Sequence, residues 1–313
     1  MGATSYSSPS NESEPTFGLY RLDAQKSSID EIVRKLTYNG GVIVENLISQ
    51  EILREVEQEL RPYFSKEWDT DAMFSKKTRV VTSVPRKSKA FVEKLFGNPT
   101  YIKVCDALLT SSHEVYFGDT VYNFTSPPIY NASTAFSTLP GNVPQRLHRD
   151  DLDHHHKRPA ITPEQYDIER DSTINMFVAG TRATKENGAT RFIPGSHLQD
   201  TLHKPEESQA VHVELQPGDA FFMLGSTYHA ASKNVTESEE RIMYSMFTIR
   251  SFLRQTENLY LSLSLDRLRE FSPFIQKRLG FSSGSPLSGH IDLKDIRKVL
   301  DLPGPSDVQW FYD

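Results

Sequence analysis

The spacing of apolar residues changes near residue 114 of the 313-residue chain. Ahead of that point it follows a helical period. Ser28 to Leu36 predicts one helix, and a second opens at Ser49, a residue suited to cap it, with Ile52, Leu53, Val56 and Leu60 on one face. Lys87 to Phe96 and Tyr101 to Leu109 carry similar spacing, and Gly41-Val42-Ile43-Val44 predicts a short strand. From Glu114 onward the apolar runs become short, β-branched and aromatic: Val115-Tyr116-Phe117, Thr173 to Val178, Val211 to Leu215, Ala220 to Leu224 and Ile242 to Ile249. Asn187-Gly188, Pro194-Gly195 and Pro217-Gly218 separate them as turns. Many short strands so punctuated predict a mainly β sandwich or barrel with helices packed outside. Helix-like segments return from Leu265, and residues 1–16, rich in Ser, Pro, Asn and Glu, predict a mobile tail.

Composition narrows the class of function. A formal charge of −6, from 35 basic and 41 acidic residues, carries no basic stripe for nucleic acid. Cys105 is the single cysteine, so no disulfide framework exists, and a reducing, cytoplasmic setting is expected. No apolar run reaches bilayer length and no signal-peptide core is visible, so no membrane partner is expected.

Candidate chemistry begins at Gln145-Arg146-Leu147-His148-Arg149-Asp150. If this stretch is a strand, His148 and Asp150 share a face, because side chains alternate with period two. His229, after the strand-like run Asp219 to Leu224, then closes the set from a neighbouring strand. Two histidines and one carboxylate on one face of an octahedral ion leave positions open, as non-haem Fe(II) oxygenases require. The tripeptide alone fits a surface histidine beside solvated acids better. Arg241 lies twelve positions past His229, and a hairpin would return it to the metal's side, where a guanidinium fork suits a carboxylate. A surface pairing of Arg241 with Glu239 or Glu240 is the alternative, and Arg191 or Arg250 would be the next candidates for the fork.

Leu147-His148-Arg149-Asp150-Asp151, the run Asn187 to His197, and Gly218-Asp219-Ala220-Phe221-Phe222-Met223 with His229 resemble the phytanoyl-CoA dioxygenase family, in particular its fungal branch acting in secondary metabolism. Phe252 to Asn258 resembles that branch too, and the similarity spans roughly Thr78 to Leu261. The resemblance implies a double-stranded β-helix (jelly-roll, cupin-like) core, from about 114 to 252 within a single domain of residues 17–313. It implies Fe(II), with 2-oxoglutarate and O₂ as cosubstrates. The implied ligands are His148, Asp150 and His229, and Arg241 is the implied clamp for 2-oxoglutarate, assisted by Thr190 and Gln145. Phe74, Thr82 and Phe136 fall where relatives build substrate pockets. Ala230-Ala231-Ser232 departs from the glycines that relatives tend to carry after the distal histidine, which changes the expected pocket shape.

The resulting expectation is oxidation of C–H bonds in a small, largely apolar terpenoid, alkaloid or polyketide by a homodimer. Asp150 argues against halogenation, since halogenases of this architecture lack that carboxylate. An O₂-independent metal-dependent isomerase or hydrolase, or a silent binding protein of the same fold, are the alternatives. The charged loop from Asp151 to Arg170 is expected at the barrel mouth. Its histidines His154, His155 and His156 look like a metal cluster, but consecutive residues of an extended chain point to alternating faces and cannot converge on one ion.

Overall fold

The computed structural model describes residues 16–64 and 76–305, so Phe74 and most of the predicted tail lie outside the described residues. The chain opens with β1 (Arg21–Asp23), α1 (Ile29–Asn39), β2 (Gly41–Glu45), α2 (Gln50–Phe64), β3 (Thr78–Val81) and α3 (Pro99–Leu109). Each helix starts where the sequence supplies a cap. The Ser28 hydroxyl accepts the Glu31 N–H at 3.1 Å, Ser49 accepts from Ile52 at 3.3 Å, and Asn98 accepts from Thr100 at 3.0 Å ahead of Pro99. Gly40, at φ 81°, ends α1 in a left-handed turn that leads directly into β2. The segment Phe91–Phe96 is a single turn of π-helix rather than part of a longer α-helix.

The β-rich part continues through β4 (Ser111–Phe117), β5 (Thr120–Ser126), β6 (Ile129–Thr138), β7 (Thr173–Ala179), β8 (Thr190–Phe192), β9 (Val211–His212), β10 (Ala220–Leu224), β11 (His229–Ala231) and β12 (Arg241–Ile249). Seven strands form one sheet in the order β1-β2-β10-β7-β12-β6-β3, and β11-β8-β9 form a smaller one. This is a jelly-roll. Alternation gives the large sheet two apolar faces. Met176, Phe222, Tyr244 and Met246 join the helices in one core, while Phe177, Phe221 and Met243 meet Phe192 of the small sheet in a second.

Three expectations need correction. The sheets draw β1, β2 and β3 from the first hundred residues, whereas β4 and β5 pair only with each other. The hairpin of β4 and β5 therefore stands outside the two-sheet core, with Tyr116 72% exposed. The predicted strand Val211 to Leu215 shortens to Val211–His212, because Leu215 leaves the ladder to exchange backbone bonds with Ala183. Among the described residues no helix is long and apolar enough to cross a membrane.

Phe222 is fully buried and meets the Tyr101 ring edge-on at 5.8 Å, coupling the large sheet to α3. Phe222→Ala is expected to lower stability by about 3–5 kcal/mol, read from the urea midpoint of metal-free protein.

Candidate metal centre

His148 and His229 are joined by a reciprocal backbone bridge, with N–H to O distances of 3.0 and 2.9 Å. Asp150 reaches them by a route the sequence did not predict. The Asp150 N–H bonds to Gly225 O at 2.9 Å, and the chain turns there into the 3-10 segment Asp150–His154. His148 and Asp150 are thus brought together by a bridge followed by a turn, not by alternation along one strand.

The ring nitrogens are oriented for a cation. Nδ1 of His148 donates to Arg146 O at 2.8 Å, and Nδ1 of His229 to Thr227 O at 3.3 Å, which leaves each Nε2 facing inward. Those Nε2 atoms lie 3.5 and 3.4 Å from the Asp150 carboxylate, and one donor atom from each residue falls within 4.8 Å of the others. Asn175, fully buried on β7, donates to Asp150 Oδ2 at 2.6 Å. Burial pushes the Asp150 carboxyl up, but the charge of His229 and the hydrogen bond from His148 outweigh it and hold the group below its usual range. Burial pulls His229 down against the attraction of Asp150, while for His148 the bond and charge of Asp150 overcome burial and raise it. A carboxylate beside inward-facing imidazole nitrogens is a donor set for a divalent metal.

The residues flanking Asp150 are anchored away from it. Arg149 donates to Ser196 O at 2.9 Å and stacks over Tyr228 with its guanidinium 4.1 Å from the ring centroid. Asp151 forms a buried ion pair with Arg158. The ligand position is fixed from both sides, which favours a preorganised site.

The triad opens onto a cavity of about 610 Å³ between the sheets. Arg241 lines it from the first residue of β12, opposite Thr138 of β6, whose hydroxyl accepts from Nη2 at 2.9 Å. The predicted hairpin with the His229 strand does not form, because β12 pairs with β6 and β7. Arg241 instead reaches the shared cavity from the facing sheet. Its Nε is buried with no hydrogen-bond partner among the described residues, and burial alone lowers its pKa to about 10. Arg191 is committed to Ala231 O, Gln145 O and Glu207, and Arg250 to Asp171 O and Ile168 O.

Gln145, Thr190, Thr82 and Phe136 also line the cavity. His154 spends its Nδ1 on Ser172 at 2.7 Å, and among the described residues only His148, Asp150 and His229 group as metal donors. Sequence reasoning missed Thr138 and Asn175. Asn175 carried a signal, an amide within the otherwise apolar run Ile174 to Val178, whereas Thr138 becomes visible only through its register with Arg241.

The phytanoyl-CoA dioxygenase (PhyH) family model matches residues 36–243. The chain belongs to this family. It is 60% identical to dioxygenase peniF of Penicillium patulum, covering 96% of this chain and 97% of that protein. It is 54% identical to dioxygenase himG of Aspergillus japonicus, covering 93% of each. The chain is accordingly a dioxygenase, an oxidoreductase. Among solved structures, the fold resembles the non-haem α-ketoglutarate-dependent carbocyclase SnoK of nogalamycin biosynthesis, with TM-score 0.54 and 17% identity over 77% of this chain and 92% of that one. The epimerase SnoN, solved with Fe³⁺, α-ketoglutarate and nogalamycin RO, matches with TM-score 0.52 and 20% identity over 74% and 88%.

His148→Ala, Asp150→Ala and His229→Ala are each expected to lose stoichiometric divalent metal in equilibrium dialysis. The triple change of His154, His155 and His156 to Ala is expected to keep one ion per chain. Loss of the ion from the triple variant would move the site into that loop.

Proposed function

We propose that this chain is an Fe(II)- and 2-oxoglutarate-dependent dioxygenase that oxidises C–H bonds of a small, largely apolar natural product in fungal-type secondary metabolism. The observation that carries the reading is Arg241: a fully buried guanidinium in the metal-facing cavity, hydrogen-bonded to Thr138 and facing no carboxylate among the described residues. A buried charge of this kind calls for an anionic partner. The His148, Asp150 and His229 donor set fits iron, and the unpaired Nε of Arg241 fits the far carboxylate of a dicarboxylic cosubstrate. What such a pair supplies is C–H oxidation coupled to decarboxylation of 2-oxoglutarate to succinate and CO₂.

The remaining roles follow from position. Gln145 uses Oε1 to accept the Ala231 N–H at 3.0 Å, so its amide nitrogen is the group available to the cosubstrate. Thr190 offers a buried hydroxyl from the adjacent strand β8. Phe177, 5.8 Å from the His229 ring, packs against Phe247 at 6.1 Å and keeps water from the metal side of the cavity. Thr82 and Phe136 form part of the substrate wall. A homodimer belongs to the same proposal, supported by Val115, Tyr116, Phe117 and Val121, exposed on a hairpin that pairs with no other strand.

Arg241→Ala is expected to raise the 2-oxoglutarate concentration for half-maximal succinate formation a few hundredfold or more, corresponding to about 3–5 kcal/mol for breaking a buried charged pair. Arg241→Lys should recover only part of this, because an ammonium makes no two-pronged contact. Both variants should still bind metal. An unchanged titration in Arg241→Ala would remove that residue from the cosubstrate site.

A further inference from the structure

The ladder between β6 and β12 slips once. Phe247 pairs with Ala132 and Thr248 with Tyr130, which leaves Asn131 as the extra residue of a β-bulge. A bulge breaks the alternation of a strand and re-aims a side chain. Asn131 is here only 7% exposed, yet it lines the cavity. It stands seven residues along β6 from Thr138, the partner of Arg241, or roughly 20 Å at ordinary strand rise. Its neighbour Ala132 is paired with Phe247, which packs on Phe177 beside His229. Asn131 therefore belongs to the end of the cavity away from the cosubstrate clamp.

The amide is oriented by its own bonds. Oδ1 accepts the Thr256 N–H at 2.7 Å, and the backbone carbonyl accepts the Glu257 N–H at 3.3 Å. These contacts tie residues 256–257 to the cavity wall and assign Nδ2 as the group left over. Nδ2 has no partner among the described residues, and because Asn131 lines the cavity, a free donor faces the substrate space. The surrounding charge is negative. Glu257 and Asp153 line the same end, linked through Thr256, and among the described residues Arg241 is the only arginine or lysine in the lining.

The geometry points to Asn131 as a specificity-determining residue whose Nδ2 binds an uncharged oxygen of the substrate, as in an alcohol, ketone or lactone. A free donor requires an acceptor, and the two carboxylates repel an anionic one, such as a carboxylate or a phosphate of an acyl-CoA. This inference rests on the proposed function only in taking the Arg241 end as the cosubstrate site.

The test uses compact apolar probes that differ in one polar group: 2-adamantanone, 1-adamantanol and 1-adamantanecarboxylate. Each is titrated calorimetrically into full-length protein loaded with Ni(II) and 2-oxoglutarate. The ketone and alcohol are expected to bind more tightly than the carboxylate. Asn131→Asp keeps an acceptor for the Thr256 N–H but replaces the free donor with a negative oxygen. It should weaken ketone binding about tenfold or more while metal and 2-oxoglutarate stoichiometry stay unchanged. Wild-type binding of the carboxylate as tight as that of the ketone, binding of none of the three, or unaltered ketone affinity in Asn131→Asp would each overturn the inference. Failure of the wild-type protein to take up metal and 2-oxoglutarate would instead overturn the proposed function, and the same samples report it.

Discussion

A guanidinium enclosed between two sheets, with no carboxylate of the described residues beside it, is the constraint on which the rest of this structure depends. Arg241 retains its charge at neutral pH even though burial lowers its pKa to about 10. Desolvating such an ion costs several kcal/mol unless a partner offsets it. The fold supplies one hydroxyl, from Thr138, and leaves Nε without a partner. The large sheet must therefore be stable enough to carry an unfavourable group at the end of one of its inner strands. Two apolar cores, one on each face, provide that stability. A dicarboxylate bound at Arg241 would relieve the cost, so cosubstrate binding and stability are thermodynamically linked.

The same economy of backbone geometry builds the metal side. His148 and His229 are far apart in the chain, but their reciprocal bridge fixes their separation before any ion arrives. Asp150 is anchored through Gly225 O, and its neighbours Arg149 and Asp151 bond outward to other segments. With the carboxylate held by Asn175 and each Nδ1 held by a carbonyl, the three donors have little freedom left to lose. That is the physical content of preorganisation here: ordering has been achieved by folding rather than by binding.

How much of this was legible in the sequence follows from which forces are local. Helix caps at Ser28, Ser49 and Asn98 act within three residues, so α1 and α2 could be read directly. The strands β7, β10 and β12 are largely apolar, β-branched and aromatic runs and are equally plain. The fate of Val115-Tyr116-Phe117 was not, because an apolar β-run does not say whether it joins the core or stands exposed. Register is likewise non-local. The Arg241–Thr138 contact and the bulge at Asn131 exist only once β6 and β12 are paired. His148, Asp150 and His229 do lie together in space, but a turn at Asp150 brings them there in place of the alternation along one strand that the sequence suggests. Arg241 was nominated through a hairpin that is absent, and it meets the cavity because two sheets face each other.

The central claim is that the buried arginine awaits the far carboxylate of a 2-oxo acid, and calorimetry on Ni(II)-loaded protein tests it most directly. The measurement compares 2-oxoglutarate with 2-oxobutyrate, which has the same chelating end but no distal carboxylate. The account predicts stoichiometric binding of 2-oxoglutarate and affinity for 2-oxobutyrate weaker by about a hundredfold or more, as expected for an unmatched buried charge. Equal affinity for the two acids would contradict it.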